Sequence, residues 1–138
     1  MYELIKRFEG FRKEAYQCSA GQWTIGFGNT TYKDGSPVQP GDTITEEEAD
    51  ELMRFYCEHN IQLPKGDFTE NQKEALCSFI YNVGQSSFNR STLKKMIEAK
   101  NWPEAKRQWM RWTRANGKVL LGLVKRREAE CKLFFTNT

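Results

Sequence analysis

Apolar residues recur at helical spacing over most of the chain, and one stretch near the N-terminus breaks this period. Leu4, Ile5 and Phe8 share one face of a short opening helix, and Gly10 predicts its end. From residue 15 to about residue 41 the helical period disappears, and short β-compatible pieces alternate with glycine and proline. The pattern predicts a short helix followed by a small, turn-rich β region.

Two capping boxes predict the starts of the next helices. Thr45 precedes Glu48 by three residues, which predicts a helix from about residue 46 to residue 60. A second threonine, Thr69, opens a helix with a stripe of apolar residues that ends at Gly84. The acidic first turn after Thr45 suits the positive end of a helix dipole, so we interpret it as a helix start and not as a metal site.

Three further helices are predicted in the C-terminal third. They run from Thr92 to Lys100, from Pro103 to Ala115, and from about residue 119 to residue 134. Pro103 fits a first helical turn, and Gly117 fits a left-handed stop after the second of these helices. The sequence therefore predicts an α+β fold, mostly helical, with a small antiparallel β region near the N-terminus.

Length and composition place the chain among ordinary globular proteins. Its 138 residues are 38% hydrophobic and 28% charged, which allows one packed domain and argues against disorder. The longest apolar stretch, residues 119–124, is far too short to span a bilayer, and no signal peptide or membrane anchor is visible.

The cysteines and the single histidine do not form a metal-binding pattern. None of the four cysteines belongs to a C-x-x-C pair, and His59, which follows Cys57 and Glu58, has no second histidine to complete a zinc-site spacing, so we expect no metal and no cofactor. Cys57, Cys77 and Cys131 each fall inside an apolar helical pattern. We interpret these three as reduced residues of the core.

Charge is distributed unevenly along the chain. Residues 1–93 hold 9 Lys+Arg against 14 Asp+Glu, a net charge of −5, whereas residues 94–138 hold 12 against 4, a net charge of +8. A cationic C-terminal third indicates an anionic polymer as partner, which can be a nucleic acid or the acidic bacterial wall. Charge alone does not choose between them.

Three spaced residues carry the candidate chemistry. Eight residues separate Glu9 from Cys18, and five separate Cys18 from Thr24. A lone glutamate at a helix end is typical of a solvated surface residue. Here it stands in an ordered string that continues through Tyr16 and the segment Trp23-Thr24-Ile25-Gly26-Phe27-Gly28.

This string resembles the phage endolysin lysozymes of glycoside hydrolase family 24, whose signature is Glu, eight residues, Asp or Cys, five residues, Thr. Both spacings match. Residues 75–84 resemble the central core helix of the family, and residues 122–128 resemble its closing segment. The resemblance implies one lysozyme-like domain over residues 1–138, with a short N-terminal helix, a β-rich lobe at about 15–44 and a helical lobe at about 45–138.

The resemblance assigns Glu9 as the general acid and Thr24 as the residue that orients the hydrolytic water. Glycoside hydrolysis needs a proton donor at the bond oxygen and a second group at the oxocarbenium-like carbon. A helix-end glutamate packed against Phe8, Phe11 or Trp23 could stay protonated, because burial disfavours its charged form.

Cys18 stands where the family most often has aspartate. It could act as a thiolate base, as a nucleophile that forms a covalent glycosyl intermediate, or as a neutral group that helps Thr24 to hold water, and it could also be a tolerated substitution. By family resemblance we favour water activation with inversion of the anomeric carbon. Asn29 is a second departure, since many relatives have histidine at that position.

The resemblance also implies substrate contacts outside the spaced set. Tyr81 and Ser91 fall at or near a substrate-contacting aromatic residue and serine of the family, and Asn82 is a weaker candidate. Each has an alternative, because Tyr81 lies beside a core stripe and Ser91 could cap the helix that begins at Thr92.

Arg126 and Arg127 admit two interpretations. The resemblance places an arginine of the closing segment near the catalytic glutamate, where it could tune or orient the carboxyl group. Alternatively, both belong to a cationic face with Lys125 and Lys132. The sequence does not decide which of the two arginines points inward.

We therefore expect a monomeric endolysin that hydrolyses the β-1,4 bond between N-acetylmuramic acid and N-acetylglucosamine, without cofactor, metal, nucleic acid or stable membrane association. It would stay in the host cytoplasm until another protein opens the membrane. One alternative is a non-catalytic peptidoglycan-binding module on the same fold, supported by Cys18 and Asn29. A nucleic-acid binder rests on the cationic C-terminal third alone, with no recognised motif.

Overall fold

The structure of the protein is a computed structural model that describes residues 1–136. Residues 2–61 form one compact unit, here called the N-terminal unit. The remaining described residues form a second unit, the C-terminal unit. The expectation of a single domain over the whole chain stays a prediction. Within residues 1–136, no helix is long and apolar enough to cross a membrane.

The N-terminal unit contains two helices and a two-stranded antiparallel sheet. Its elements in chain order are α1 (Glu3–Glu9), β1 (Arg12–Gln17), β2 (Trp23–Gly26) and α2 (Glu46–Asn60). The register pairs Tyr16 with Thr24 and Gln17 with Trp23, and it shifts between Arg12 and Tyr16. The predicted β region is confirmed, although its first strand begins at Arg12 instead of about residue 15.

Short bridges hold the long segment between β2 and α2. Isolated antiparallel bridges join Ile25 to Asn29, Thr31 to Pro37, and Glu14 to Thr43. The buried apolar side chains of this region and of α2 are Ile25, Phe27, Val38, Ile44, Ala49, Leu52, Met53 and Cys57. The turn-rich segment therefore contributes to the core of its unit even though it has little regular structure.

Both predicted capping boxes are present. Thr45 accepts the backbone N–H of Glu48, whose side chain accepts the N–H of Thr45 in return. Thr69 and Gln72 make the same reciprocal pair. These contacts satisfy backbone donors that the first helical turn leaves unpaired, which explains why α2 begins at the residue the sequence predicts.

The C-terminal unit is helical with one small hairpin. Its elements are α3 (Glu70–Val83), α4 (Gln85–Asn89), α5 (Thr92–Glu98), α6 (Trp102–Trp109), β3 (Arg114–Ala115), β4 (Lys118–Val119) and α7 (Leu121–Phe135). Its core includes Leu76, Phe79, Ile80, Phe88, Leu93, Ile97, Trp109, Cys131 and Phe134. The sequence analysis missed α4, a single short turn that follows Gly84 directly.

The predicted helix from Pro103 to Ala115 is wrong in its second half. Helix α6 ends at Trp109, and the hairpin β3–β4 follows, with Ala115 paired to Lys118. Asn116 and Gly117 both have positive φ, 51° and 77°, which is the geometry of a two-residue hairpin turn. Gly117 therefore reverses a hairpin and does not stop a helix.

The prediction for the three buried cysteines is confirmed. Cys57, Cys77 and Cys131 are buried and unbridged. Burial raises the pKa of Cys77 and that of Cys131 to about 12, so neither thiol is reactive near neutral pH. The predicted last helix, from about residue 119, included Leu120, but Leu120 precedes α7 and is 44% exposed.

Candidate active site

The three spaced residues all lie in the N-terminal unit, at the junctions of its first elements. Glu9 is the last residue of α1, Cys18 follows β1 directly, and Thr24 lies in β2. Gly10 ends the helix at φ 71°, and its N–H donates to the carbonyl of Lys6 over 3.0 Å. Because a positive φ suits glycine, the chain can turn at this point from the helix into β1.

A tight turn connects the two strands at Cys18. The N–H of Cys18 donates to the carbonyl of Gln22 over 2.9 Å, and the N–H of Gly21 donates to the carbonyl of Cys18 over 2.8 Å. This turn directs the backbone N–H groups of Ala20 and Gln22 towards the sulfur. The side chain of Cys18 is partly exposed, so a reacting molecule can reach it.

The hydrogen bonds around the sulfur favour its charged form. Donation from the N–H groups of Ala20 and Gln22, assisted by the hydroxyl of Thr24, lowers the pKa of Cys18 against a smaller opposing effect of burial. The site thus supplies a thiolate more readily than an ordinary cysteine would. Among the roles considered for Cys18, this geometry favours those that use a negative charge.

Thr24 is held firmly in β2. Its side chain is 4% exposed, and its hydroxyl lies 3.1 Å from the carbonyl of Gln22, to which it donates. A hydroxyl has one proton and two acceptor lone pairs, so Thr24 can donate to only one of Gln22 and Cys18 at a time. Its lone pairs can accept a hydrogen bond from a water molecule beside the sulfur.

The surroundings of Glu9 agree in part with the expected apolar packing. Glu9, Phe8, Phe11 and Trp23 are all half-buried. The ring of Phe11 packs on that of Phe27 with the two centroids 5.7 Å apart. Glu9 is thus partly accessible to solvent, and its packing against these aromatic residues stays a prediction.

Asn29 has a structural position in the turn after β2. It is 4% exposed, and its backbone exchanges two hydrogen bonds with that of Ile25, at 2.9 and 3.0 Å. The backbone of this residue thus closes the loop that carries Gly26 and Gly28.

The candidate substrate contacts lie in the C-terminal unit, where Tyr81 is half-buried and Asn82 is exposed. Ser91 is 6% exposed and caps α5, since its Oγ accepts the N–H of Lys94 at 3.1 Å and donates to the carbonyl of Phe88 at 2.6 Å. The helix-cap alternative is therefore observed for Ser91. A sugar contact by these residues stays a prediction.

Arg126 and Arg127 do not belong to a cationic face. They are 3% and 0% exposed, so that interpretation is wrong for both. Arg126 donates from Nη2 to the carbonyl of Ser78 at 3.0 Å, and Arg127 donates from Nη2 to Oδ1 of Asn82 at 2.9 Å. Their partners lie on α3, which brings the closing segment of the chain beside a candidate substrate contact.

The carboxylate that balances these arginines was not predicted from the sequence. Glu130 is fully buried, and its oxygens lie 3.4 Å from Nε of Arg126 and 2.8 Å from Nε of Arg127. It also accepts hydrogen bonds from Ser78 at 2.5 Å and from the indole of Trp109 at 3.0 Å. Its spacing of three and four residues from the arginines was the available signal, since such residues share a helix face.

The described residues contain no group of three or more His, Cys, Asp or Glu side chains that could hold a metal ion. The candidate chemistry belongs to Glu9, Cys18 and Thr24. Together they offer a carboxyl group, a thiol with a lowered pKa and a hydroxyl. Such a set can transfer protons and activate water.

Comparison with known proteins identifies similar chains. The profile of the phage lysozyme family, "Phage lysozyme", matches residues 6–130. The chain is 41% identical to an endolysin of Acyrthosiphon pisum secondary endosymbiont phage 1, covering 95% of this chain and 92% of that one. It is 39% identical to the endolysin of Salmonella phage P22, with coverages of 96% and 92%.

A solved structure agrees with these matches. The muramidase domain of SpmX from Asticaccaulis excentricus superposes with a TM-score of 0.83 at 35% sequence identity. The match covers 99% of this chain and 95% of that one. The α+β, lysozyme-like fold predicted from the sequence is thereby confirmed.

Proposed function

The chain belongs to the phage lysozyme family, and on that basis we propose that it is an endolysin that hydrolyses bacterial peptidoglycan during host lysis. The bond we propose is the β-1,4 link between N-acetylmuramic acid and N-acetylglucosamine. The names of its relatives, endolysins and a muramidase domain, support this class of reaction.

Glu9 is the proposed general acid. It protonates the glycosidic oxygen as the bond to the anomeric carbon breaks, and the leaving sugar departs as an alcohol. The position of Glu9 at the end of α1, where it is half-buried, supports this role. A carboxyl group there can meet the substrate without being fully hydrated.

Cys18 and Thr24 are the proposed pair that activates water. The water adds to the anomeric carbon from the face opposite the leaving sugar and passes one proton to the Cys18 thiolate. The hydroxyl oxygen of Thr24 accepts a hydrogen bond from the other hydrogen of this water. Glu9 ends as a carboxylate and Cys18 as a thiol, and proton exchange with solvent restores both. The observation that carries this proposal is the set of donors from Ala20, Gln22 and Thr24 that lowers the pKa of Cys18.

Tyr81, Asn82 and Ser91 are proposed as contacts to the sugar chain. The hydrogen bond from Arg127 to Oδ1 of Asn82 supports this role, because it fixes the amide and leaves its NH₂ group to donate. Arg126 and Arg127 are then supporting residues of this surface. Because the hydroxyl proton of Ser91 is already donated to Phe88, Ser91 would act only as an acceptor.

The proposed setting is the host cytoplasm, where the protein waits as a monomer until another protein opens the membrane. Reduced, buried cysteines agree with a reducing compartment, since disulfides are rare there. A cytoplasmic store would keep the enzyme away from its substrate until lysis.

The decisive experiment compares Glu9→Gln with the matched variant Glu14→Gln on purified peptidoglycan. Glu14 is an exposed carboxylate on β1, so its replacement should leave the release of reducing ends unchanged. Glu9→Gln should lower that release by about 10² to 10⁴-fold, the usual contribution of a general acid. Normal release of reducing ends by Glu9→Gln would refute the mechanism. If the wild-type protein binds peptidoglycan but releases no reducing ends, the result would favour a non-catalytic peptidoglycan-binding module.

The stereochemical part of the proposal has its own test. Inversion predicts the α-anomer as the first product and no sugar attached to the protein, which NMR of fresh product and intact mass spectrometry can check. A covalent glycosyl adduct on Cys18 would instead assign the sulfur as a nucleophile with retention.

A further inference from the structure

The end of the C-terminal hairpin exposes three consecutive aliphatic side chains. Val119, Leu120 and Leu121 are 56%, 44% and 68% exposed. They lie on β4 and at the start of α7, and we call residues 114–125 the hairpin tip. They protrude from one short segment on more than one side, and exposed aliphatic side chains grouped in this way are candidates for a membrane or protein contact.

Each of these aliphatic residues has a cation beside it. Val119 pairs with Arg114 across the hairpin, which places their side chains on one face. The N–H of Leu120 donates to the carbonyl of Thr113, so the alternation of the strands places Leu120 on the opposite face, together with Lys118. Leu121 precedes Lys125 by four residues and shares its side of the helix.

The chain around the tip is mostly cationic, although Glu104 pairs with Arg107 and the exposed Glu128 follows Lys125 by three residues. Residues 105–127 contain eight Lys or Arg residues and no Asp or Glu. Arg126 and Arg127 are buried, and the other six cations of this stretch are exposed. Within residues 114–125 the hairpin tip therefore combines protruding aliphatic groups with three exposed cations and no carboxylate.

We propose that the hairpin tip docks reversibly on the surface of an anionic phospholipid bilayer. The aliphatic side chains would enter the interface between headgroups and acyl chains, and the flanking cations would pair with lipid phosphates. A soluble polyanion would need the cations alone, and sugar recognition relies on aromatic and polar groups. Shallow docking requires no helix that spans the membrane, and it is independent of the hydrolytic reaction.

The test is cosedimentation of the whole protein with vesicles of phosphatidylcholine, with and without phosphatidylglycerol. We expect pelleting with the anionic vesicles and little with the neutral ones, and a loss of binding as salt rises. Lys118→Gln should weaken binding about fivefold, the usual contribution of one interfacial cation. Leu121→Ser should weaken it at low and at high salt alike, because its contribution is not electrostatic.

The matched control is Lys95→Gln, which removes an exposed cation of α5 away from the hairpin tip and should bind like the wild type. Unchanged melting temperatures and an unchanged kcat on peptidoglycan fragments would show that all variants are folded. Equal binding to neutral vesicles would overturn the proposal. The proposal would also be overturned if Leu121→Ser bound anionic vesicles as well as the wild type and inorganic polyphosphate competed completely with the vesicles. The hairpin tip would then be a binding site for polyanions.

Discussion

The charge state of Cys18 controls the second half of the proposed reaction. Its sulfur receives hydrogen bonds from two backbone N–H groups that do not depend on the side chains of Ala20 and Gln22. Any residue at position 18 with a negative group of similar reach would be stabilised by the same donors. A neutral hydroxyl would gain much less from them, because hydrogen bonds to charged acceptors are stronger.

Substitutions at Cys18 should therefore distinguish the effect of its negative charge on activity from the effect of its size. We expect Cys18→Asp to keep activity on peptidoglycan within about tenfold of the wild type, and Cys18→Ser to lose on the order of 10²-fold, since the loss of a general base has this magnitude. Initial rates of reducing-end release measure both. Equal rates for Cys18→Ser and the wild type would assign Cys18 as a tolerated substitution.

The lowered pKa of Cys18 also predicts how the protein responds to pH. In the folded protein the thiol loses its proton at a lower pH than in the unfolded chain, so a rise in pH through this range favours the folded state. Because the pKa of Cys18 is lowered, its reactive thiolate also forms at a lower pH than that of an ordinary cysteine. Alkylation by iodoacetamide, read at Cys18 by peptide mass spectrometry, should have its midpoint below that of the urea-unfolded protein. Coincident midpoints would contradict the role of the donors.

The sequence located these catalytic candidates but not their electrostatics. The spacing of Glu9, Cys18 and Thr24, together with the family resemblance, was enough to select them. The N–H groups of Ala20 and Gln22 could not be foreseen, because backbone donors have no sequence signature and depend on the turn that the chain adopts. Glu130 was missed because its spacing from Arg126 and Arg127 indicates a shared helix face but does not show that this face is buried.

At the scale of elements, side-chain caps and close pairs of residues decided where the helices begin and end. The reciprocal caps at Thr45 and Thr69 specify both helix starts, and both were predicted correctly. Apolar spacing misplaced the end of α6, because Trp109 and Trp112 have helical spacing while only Trp109 lies in the helix. The pair Asn116 and Gly117 was the overlooked signal, since this dipeptide favours a tight hairpin turn.

The hairpin turn can be tested with two glycines of the same segment. Gly117 has φ 77°, and an added Cβ there would meet no atom within 4 Å, so Gly117→Ala changes backbone strain alone. We expect a loss of about 1–2 kcal/mol in the free energy of unfolding. Gly122→Ala is the control, because Gly122 lies in α7 and its added Cβ is also unobstructed. It should be neutral or stabilising, by up to about 1 kcal/mol, and urea unfolding measures both.

At the scale of the molecule, the C-terminal unit contains a buried ionic cluster that joins α3, α6 and α7. Glu130 of α7 receives hydrogen bonds from Ser78 of α3 and Trp109 of α6, and it neutralises the two arginines of its own helix. Burial raises the pKa of Glu130, and the guanidinium of Arg127 opposes that rise. Such a cluster tolerates the loss of one member poorly, because an unpaired buried charge remains.

Removal of the central carboxylate should therefore destabilise the protein strongly. We expect Glu130→Ala to cost about 3–5 kcal/mol, since Arg126 and Arg127 would stay buried without their counter-ion. Glu128→Ala is the matched control on the same helix, because Glu128 is exposed and its loss should change stability by less than about 0.5 kcal/mol. Thermal unfolding of both variants measures the difference. Similar melting temperatures would show that the cluster contributes no net stability.

The uneven charge of the chain predicts an effect of salt on binding and not on the chemical step. The cationic C-terminal third attracts an anionic wall over distances that salt screens, with a Debye length of about 8 Å near physiological ionic strength. KM on intact peptidoglycan should therefore rise with added salt while kcat stays constant. An uncharged chitooligosaccharide is the control, and its KM should not change. A fall in kcat at constant KM would place the effect of salt on Glu9 and Cys18 instead of on substrate encounter.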